Sequence, residues 1–110
     1  MKVVFNMVDG SEIFMNNVKS IVDVGRDLCV TIDFAVLESG TIVNTYISKV
    51  GQVRKNHFMN CVTSYQSDEM GVVLIDYHFY DLINNKLYSR KGVSDYVSQI
   101  LGGRKNDEKR

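Results

Sequence analysis

Residues 2–16, KVVFNMVDGSEIFMN, decide how this chain is read, because two apolar runs flank Asp9 and Gly10, the pair that most strongly marks a β-hairpin. A two-residue loop would pair Met7 with Glu12 and Asn6 with Ile13, mixing polar and apolar residues on both faces. A three-residue loop pairs Phe5 with Ile13 and Val3 with Met15 and keeps one face apolar. That register predicts a type I turn over Met7 to Gly10, with Gly10 in the left-handed region where a side chain would be strained.

Working outward, residues 19–24 read as a short strand stopped by Gly25. Residues 28–36 alternate more cleanly, with Leu28, Val30, Ile32, Phe34 and Val36 on one face, the period of a half-buried strand. After Glu38, Ser39 and Gly40, the stretch 41–50 is rich in β-branched residues and has no dominant face, which reads as a strand with two useful faces or as an edge. Residues 51–60 contain the polar cluster QVRKNH and read as a loop or exposed strand, with a further strand over 58–65. A long strand is expected over 72–83, with Val73, Ile75, Tyr77, Phe79 and Ile83 on one face, interrupted by Asp81. Asn84 and Asn85 mark a second hairpin that returns over 86–90.

Only the C-terminal part has a helical period: Val93, Tyr96, Val97, Ile100 and Leu101 fall on one stripe. The expected fold is therefore mainly β (α+β). Six to eight antiparallel strands would form a curved sheet or small barrel, with one C-terminal amphipathic helix packed on it. Residues 1–103 would make a single globular domain, and the apolar-free 104–110 a charged, disordered tail. In element order alone this resembles pleckstrin-homology-like folds and other small barrels with a terminal helix. No residue motif accompanies that order, so no function follows from it.

The chain has 110 residues, no proline, no tryptophan and a formal net charge of zero. Its size and 45% hydrophobic content suit one folded domain and argue against disorder, a collagen-like repeat or a coiled coil as descriptions of the whole chain. Charge neutrality also argues against a protein that relies on a strong positive field to hold duplex DNA. Asn6 and Asp9 break the first apolar run before it reaches the length of a secretory core, and no stretch approaches a membrane span, so a cytoplasmic location without membrane contact is expected. Cys29 and Cys61 fit no zinc or redox spacing and read as free, buried thiols.

No nucleophile-elbow, zincin, P-loop or dinucleotide motif occurs, so no catalytic, cofactor or metal residue is assigned and a non-enzyme is expected. Three groups of residues remain. Asp76, His78 and Tyr80 alternate on the polar face of the 72–83 strand, where the plainer reading is a solvated face and the sharper one a base oriented by an acid. Arg54, Lys55, Phe58, Tyr88, Arg90 and Lys91 interleave charge with aromatic rings, as a single-stranded nucleic-acid surface needs. Thr41, Val43, Thr45 and Ile47 lie on the two-faced strand 41–50, a candidate protein interface able to join two copies as a homodimer. The expected function is a small protein-interaction module or inhibitor, of the size of a phage or mobile-element accessory protein. The alternatives are a single-stranded nucleic-acid-binding barrel and a small phage virion component.

Overall fold

The computed structural model describes residues 1–33 and 42–88, and these build eleven short strands. The opening hairpin forms in the register that keeps one face apolar. β1 (Val3–Met7) pairs antiparallel with β2 (Glu12–Met15), with Val3 opposite Met15 and Phe5 opposite Ile13. The Gly10 amide donates to the Met7 carbonyl at 3.0 Å, and Gly10 takes φ +89°, the left-handed conformation the turn demands. Asp9 steadies the tip: its carboxylate accepts the Ser11 amide at 2.8 Å.

Three sheets share one core. β3 (Val18–Asp23), β4 (Asp27–Asp33) and β5 (Ile42–Ser48) form an antiparallel meander. The hairpin sheet is completed by β8 (Val62–Ser67) beside β1, and by β9 (Gly71–Leu74) at its far edge. A further sheet runs in the order β11 (Lys86–Tyr88), β10 (His78–Asp81), β6 (Val50–Arg54), β7 (His57–Met59). Val3, Phe5 and Tyr65 from the hairpin sheet, Leu28, Val30 and Ile47 from the meander, and Val53 and Phe79 from the third sheet meet in a single apolar cluster. Burial of this cluster is the main driving force for the fold.

Several expectations need correction. The described strands number eleven rather than six to eight, and among the described residues they make three separate sheets rather than one curved sheet or small barrel. The pairing is not wholly antiparallel either, since β6 and β10 run parallel, with Gly51 opposite Phe79. The strand expected over 58–65 breaks at Asn60. That side chain accepts the Cys61 amide at 3.0 Å and the Asp9 amide at 3.3 Å, and so turns the chain from β7 into β8. Of the two readings of 51–60, the strand holds over β6 and β7 and the loop does not, but the strand is only partly exposed: Gly51 and Val53 are buried while Arg54, Lys55 and His57 point to solvent.

The expected long strand 72–83 changes partners midway. Ile75 donates its amide to Thr63 beside the hairpin sheet, and three residues on His78 donates to Lys49 beside the third sheet. Asp81 does not interrupt the apolar face but serves it: fully buried, its carboxylate accepts the amides of Ile83 at 2.9 Å and Asn84 at 3.1 Å, and the Asn84 side chain at 2.8 Å. It thereby shapes the β10–β11 turn, in which Asn85 has φ +54°. The expected C-terminal helix and the 104–110 tail lie outside the described residues.

Candidate functional site

The seven-residue strand β5 pairs with β4 along its whole length, from Asp27 opposite Ser48 to Asp33 opposite Ile42. In an antiparallel ladder, hydrogen-bonded and non-hydrogen-bonded pairs alternate. The Lys49 amide donates to the Arg26 carbonyl at 2.8 Å, which makes Arg26 and Lys49 a hydrogen-bonded pair. Counting inward by twos, Val43, Thr45 and Ile47 direct their backbone groups toward β4. The N–H and C=O groups of Ile42, Asn44, Tyr46 and Ser48 consequently face outward, where β5 ends its sheet among the described residues.

The side chains sort by the same parity. Ile47 is buried in the core and Thr45 is half-buried, whereas Val43, on the same face, is 40% exposed. On the other face Tyr46 is 61% and Ile42 53% exposed. Of the four residues singled out on this strand, Ile47 therefore belongs to the core, Val43 and Thr45 lie along the edge, and Thr41 lies outside the described residues. Sequence reasoning missed that Ile42, Asn44, Tyr46 and Ser48 carry the free backbone groups. The deciding signal, which parity faces β4, comes from the contact between Lys49 and Arg26 and from no local pattern.

Tyr46 stands directly across from Cys29 on β4. Its hydroxyl is held above the usual phenol range, first by a hydrogen bond with the Cys29 thiol, then by that group's charge, by slight desolvation and by Asp27. Beyond the strand's end, Lys49 Nζ reaches Asp23 at 2.6 Å. That hydrogen bond is the main reason the Asp23 carboxyl lies below the usual range, with the Gly25 amide adding to it.

The other two groups are only partly brought together. Asp76, His78 and Tyr80 are all exposed, with Asp76 in the link before β10 and the other two on its outer face. Arg54 and His57 sit opposite each other at the end of β6 and β7, with Lys55 in their turn. Phe58 does not join them at the surface, because it packs on Phe79 with ring centroids 5.9 Å apart, and Tyr88 packs against the core. The exposed ring on that face is Tyr80, in a cross-strand row with Leu87, Gln52 and Met59. Arg90 and Lys91 lie outside the described residues. An open groove of about 350 Å³ between Lys2, Val4, Gln66 and Val72 offers neither histidine nor cysteine.

Of the two thiols expected to be buried, Cys29 is instead half-exposed, whereas Cys61 is fully buried against Gly51, where desolvation pushes its thiol up to about 12 and leaves it an unreactive core residue. Among the described residues no group of three or more His, Cys, Asp or Glu gathers to hold a metal ion, and no helix is long and apolar enough to cross a membrane. The geometry thus defines a mainly β chain whose most accessible chemistry is an open backbone edge. No family model, curated protein or solved structure matches the chain.

Proposed function

We propose that this chain is a non-enzymatic protein-interaction module that binds by strand addition along β5. One observation carries the reading: among the described residues β5 is a seven-residue edge with no charged residue, no proline and no register break. Native edges are commonly guarded by a charge, a proline or a bulge, or by being short. The remaining edge strands here are guarded: β2, β7, β9 and β11 have four residues or fewer, and β3 carries Lys19, Asp23 and a register break between Val18 and Ser20. Main-chain hydrogen bonds supply affinity in this mode, and alternate side chains such as Ile42 and Tyr46 supply selectivity.

The test is affinity capture from lysate of the source cells, with wild type and Asn44→Pro side by side, each with and without nuclease. Proline at 44 removes one outward N–H and leaves the ladder to β4 intact. Proteins retained by the wild type through nuclease treatment and lost from Asn44→Pro support the reading. Identical capture by both overturns it, and capture that disappears with nuclease transfers the function to the Arg54, Lys55 and Tyr80 face.

A further inference from the structure

We infer that the strand added to β5 is β5 of a second copy of this chain, running antiparallel about a twofold axis at Thr45, so that two three-stranded sheets become one of six. The inference rests on the reading of β5 as a strand-addition edge and names its occupant. A twofold axis at Thr45 sets Ile42 opposite Ser48 of the second copy and Asn44 opposite its Tyr46. All four outward-facing residues of each strand then fall in hydrogen-bonded pairs, about eight bonds in all. Moving the axis to Asn44 or to Tyr46 leaves one residue of each strand unpaired and reduces the total to about six.

The side chains fit the same register. Val43 faces the core side yet remains exposed, and the twofold places it opposite the buried Ile47 of the second copy in a close, non-hydrogen-bonded pair. On the outer face Tyr46 gains the second copy's Asn44 as its direct neighbour, with Ile42 and Tyr46 of that copy on the diagonals. Charge permits the approach. The strand is uncharged, the whole chain is neutral, and Lys49 at the strand's end is tied to Asp23. An uncharged, self-complementary edge offers a charged foreign strand no electrostatic guide, whereas a second copy satisfies it completely.

Sedimentation equilibrium up to about 1 mM suits the small interface of a single strand pair. It should show a monomer–dimer equilibrium, and the amides of Ile42, Asn44, Tyr46 and Ser48 should gain exchange protection together as concentration rises. Asn44→Pro should weaken dimerisation at least tenfold; it also removes the side-chain oxygen that accepts the Thr31 hydroxyl at 2.9 Å, so the melting of the monomeric variant is measured beside it. If that variant melts early, Tyr46→Lys, at an exposed position, should weaken dimerisation by placing cations beside the axis. On a Cys29→Ser background, Thr45→Cys should cross-link two copies under mild oxidation, because the axis sets those positions about 4.5 Å apart between Cα atoms, within disulfide reach. A wild type that stays monomeric throughout, or a dimer indifferent to Asn44→Pro and Tyr46→Lys, overturns the inference. Cross-linking through Asn44→Cys but not Thr45→Cys overturns the register. A monomeric wild type whose protein capture is still lost in Asn44→Pro refutes self-pairing and leaves the strand-addition reading standing; if capture is also unchanged, both fall.

Discussion

Replacing Gly51 by alanine tests how the third sheet joins the core. Gly51 lies on β6 opposite Phe79 of the parallel strand β10, and its φ is not positive, so alanine meets no backbone penalty. The obstacle is space. A methyl group there would stand 2.7 Å from Phe79 Cδ2, 2.9 Å from Cys61 Sγ and 3.0 Å from the Met59 carbonyl oxygen, against a comfortable separation of about 3.5–4.0 Å. Phe79 and Cys61 are both fully buried, so neither can swing into solvent. Overpacking of this kind costs about 1–3 kcal/mol, and the stiffer unfolded chain returns about 0.4–1 kcal/mol of it. The net loss is about 1–2 kcal/mol. With an unfolding entropy near 2.1 cal/mol/K per residue, that is a fall in Tm of about 4–9 °C by calorimetry. Adding Cys61→Ala removes one of the clashing atoms, so the double variant should be less destabilised than the two single losses combined, by about 0.5–1 kcal/mol. An unchanged or raised Tm for Gly51→Ala would refute this account of the β6–β10 contact. Gly10→Ala is the contrasting control: its methyl would meet nothing within 4 Å, and any loss there comes from φ +89° alone.

Four further outcomes follow from the same geometry. A thiol reagent at pH 8 should modify the half-exposed Cys29 readily and Cys61 only after denaturant is added, and a single rapid phase counting two thiols would contradict the burial of Cys61. Because the Cys61 pKa is raised by desolvation from 9.0 to about 12, its contribution to stability is complete below pH 9 and is lost as pH rises toward 12, by up to about 1.4 kcal/mol per unit. Urea unfolding at pH 8 and pH 10 should show a shallower alkaline loss in Cys61→Ala. Lys49→Met should let the Asp23 pKa rise back toward 3.8 in a carboxyl NMR titration, since the Lys49 hydrogen bond is what chiefly lowers it; in the wild type this contact's contribution is present above pH 3.8 and fades as pH falls through the lowered value. Asp81→Ala strips the acceptors from the Ile83 and Asn84 amides and should cost about 1–3 kcal/mol in denaturant unfolding.

The opening hairpin was legible to the residue because everything that sets it is local: Asp9 and Gly10 choose the turn, and the alternation from Val3 to Met15 chooses the register. The break near residue 76 was not legible, for a physical reason. Ile75, Tyr77, Phe79 and Asp81 are all buried, so the period of two runs unbroken through a segment that leaves one sheet and enters another. Alternation reports which face is buried and is silent on which strand lies alongside. The same limit applies to β6, where the polar QVRK run conceals Val53 and follows directly on the buried Gly51, because a parallel partner more than twenty residues away leaves no local mark. Phe58 and Tyr88 read as surface rings for the same reason, since their strands' inward parity is set by β6 and β10.

The candidate interface shows what this limit means for function. Composition and β-branching in 41–50 located the edge, but backbone parity decides which atoms it offers, and parity there is set by Arg26 and Lys49. Side-chain reasoning favoured Val43, Thr45 and Ile47, whose amides are engaged by β4, while the outward donors belong to residues chosen by no side-chain criterion. In strand addition the binding groups are peptide units, so a sequence can specify such a site with ordinary residues by leaving out the charge, proline or bulge that would close it. A chain without proline has one fewer way to close an edge. Among the described residues β5 uses neither of the others, whereas the bulge and charges on β3 guard the opposite edge of the same sheet.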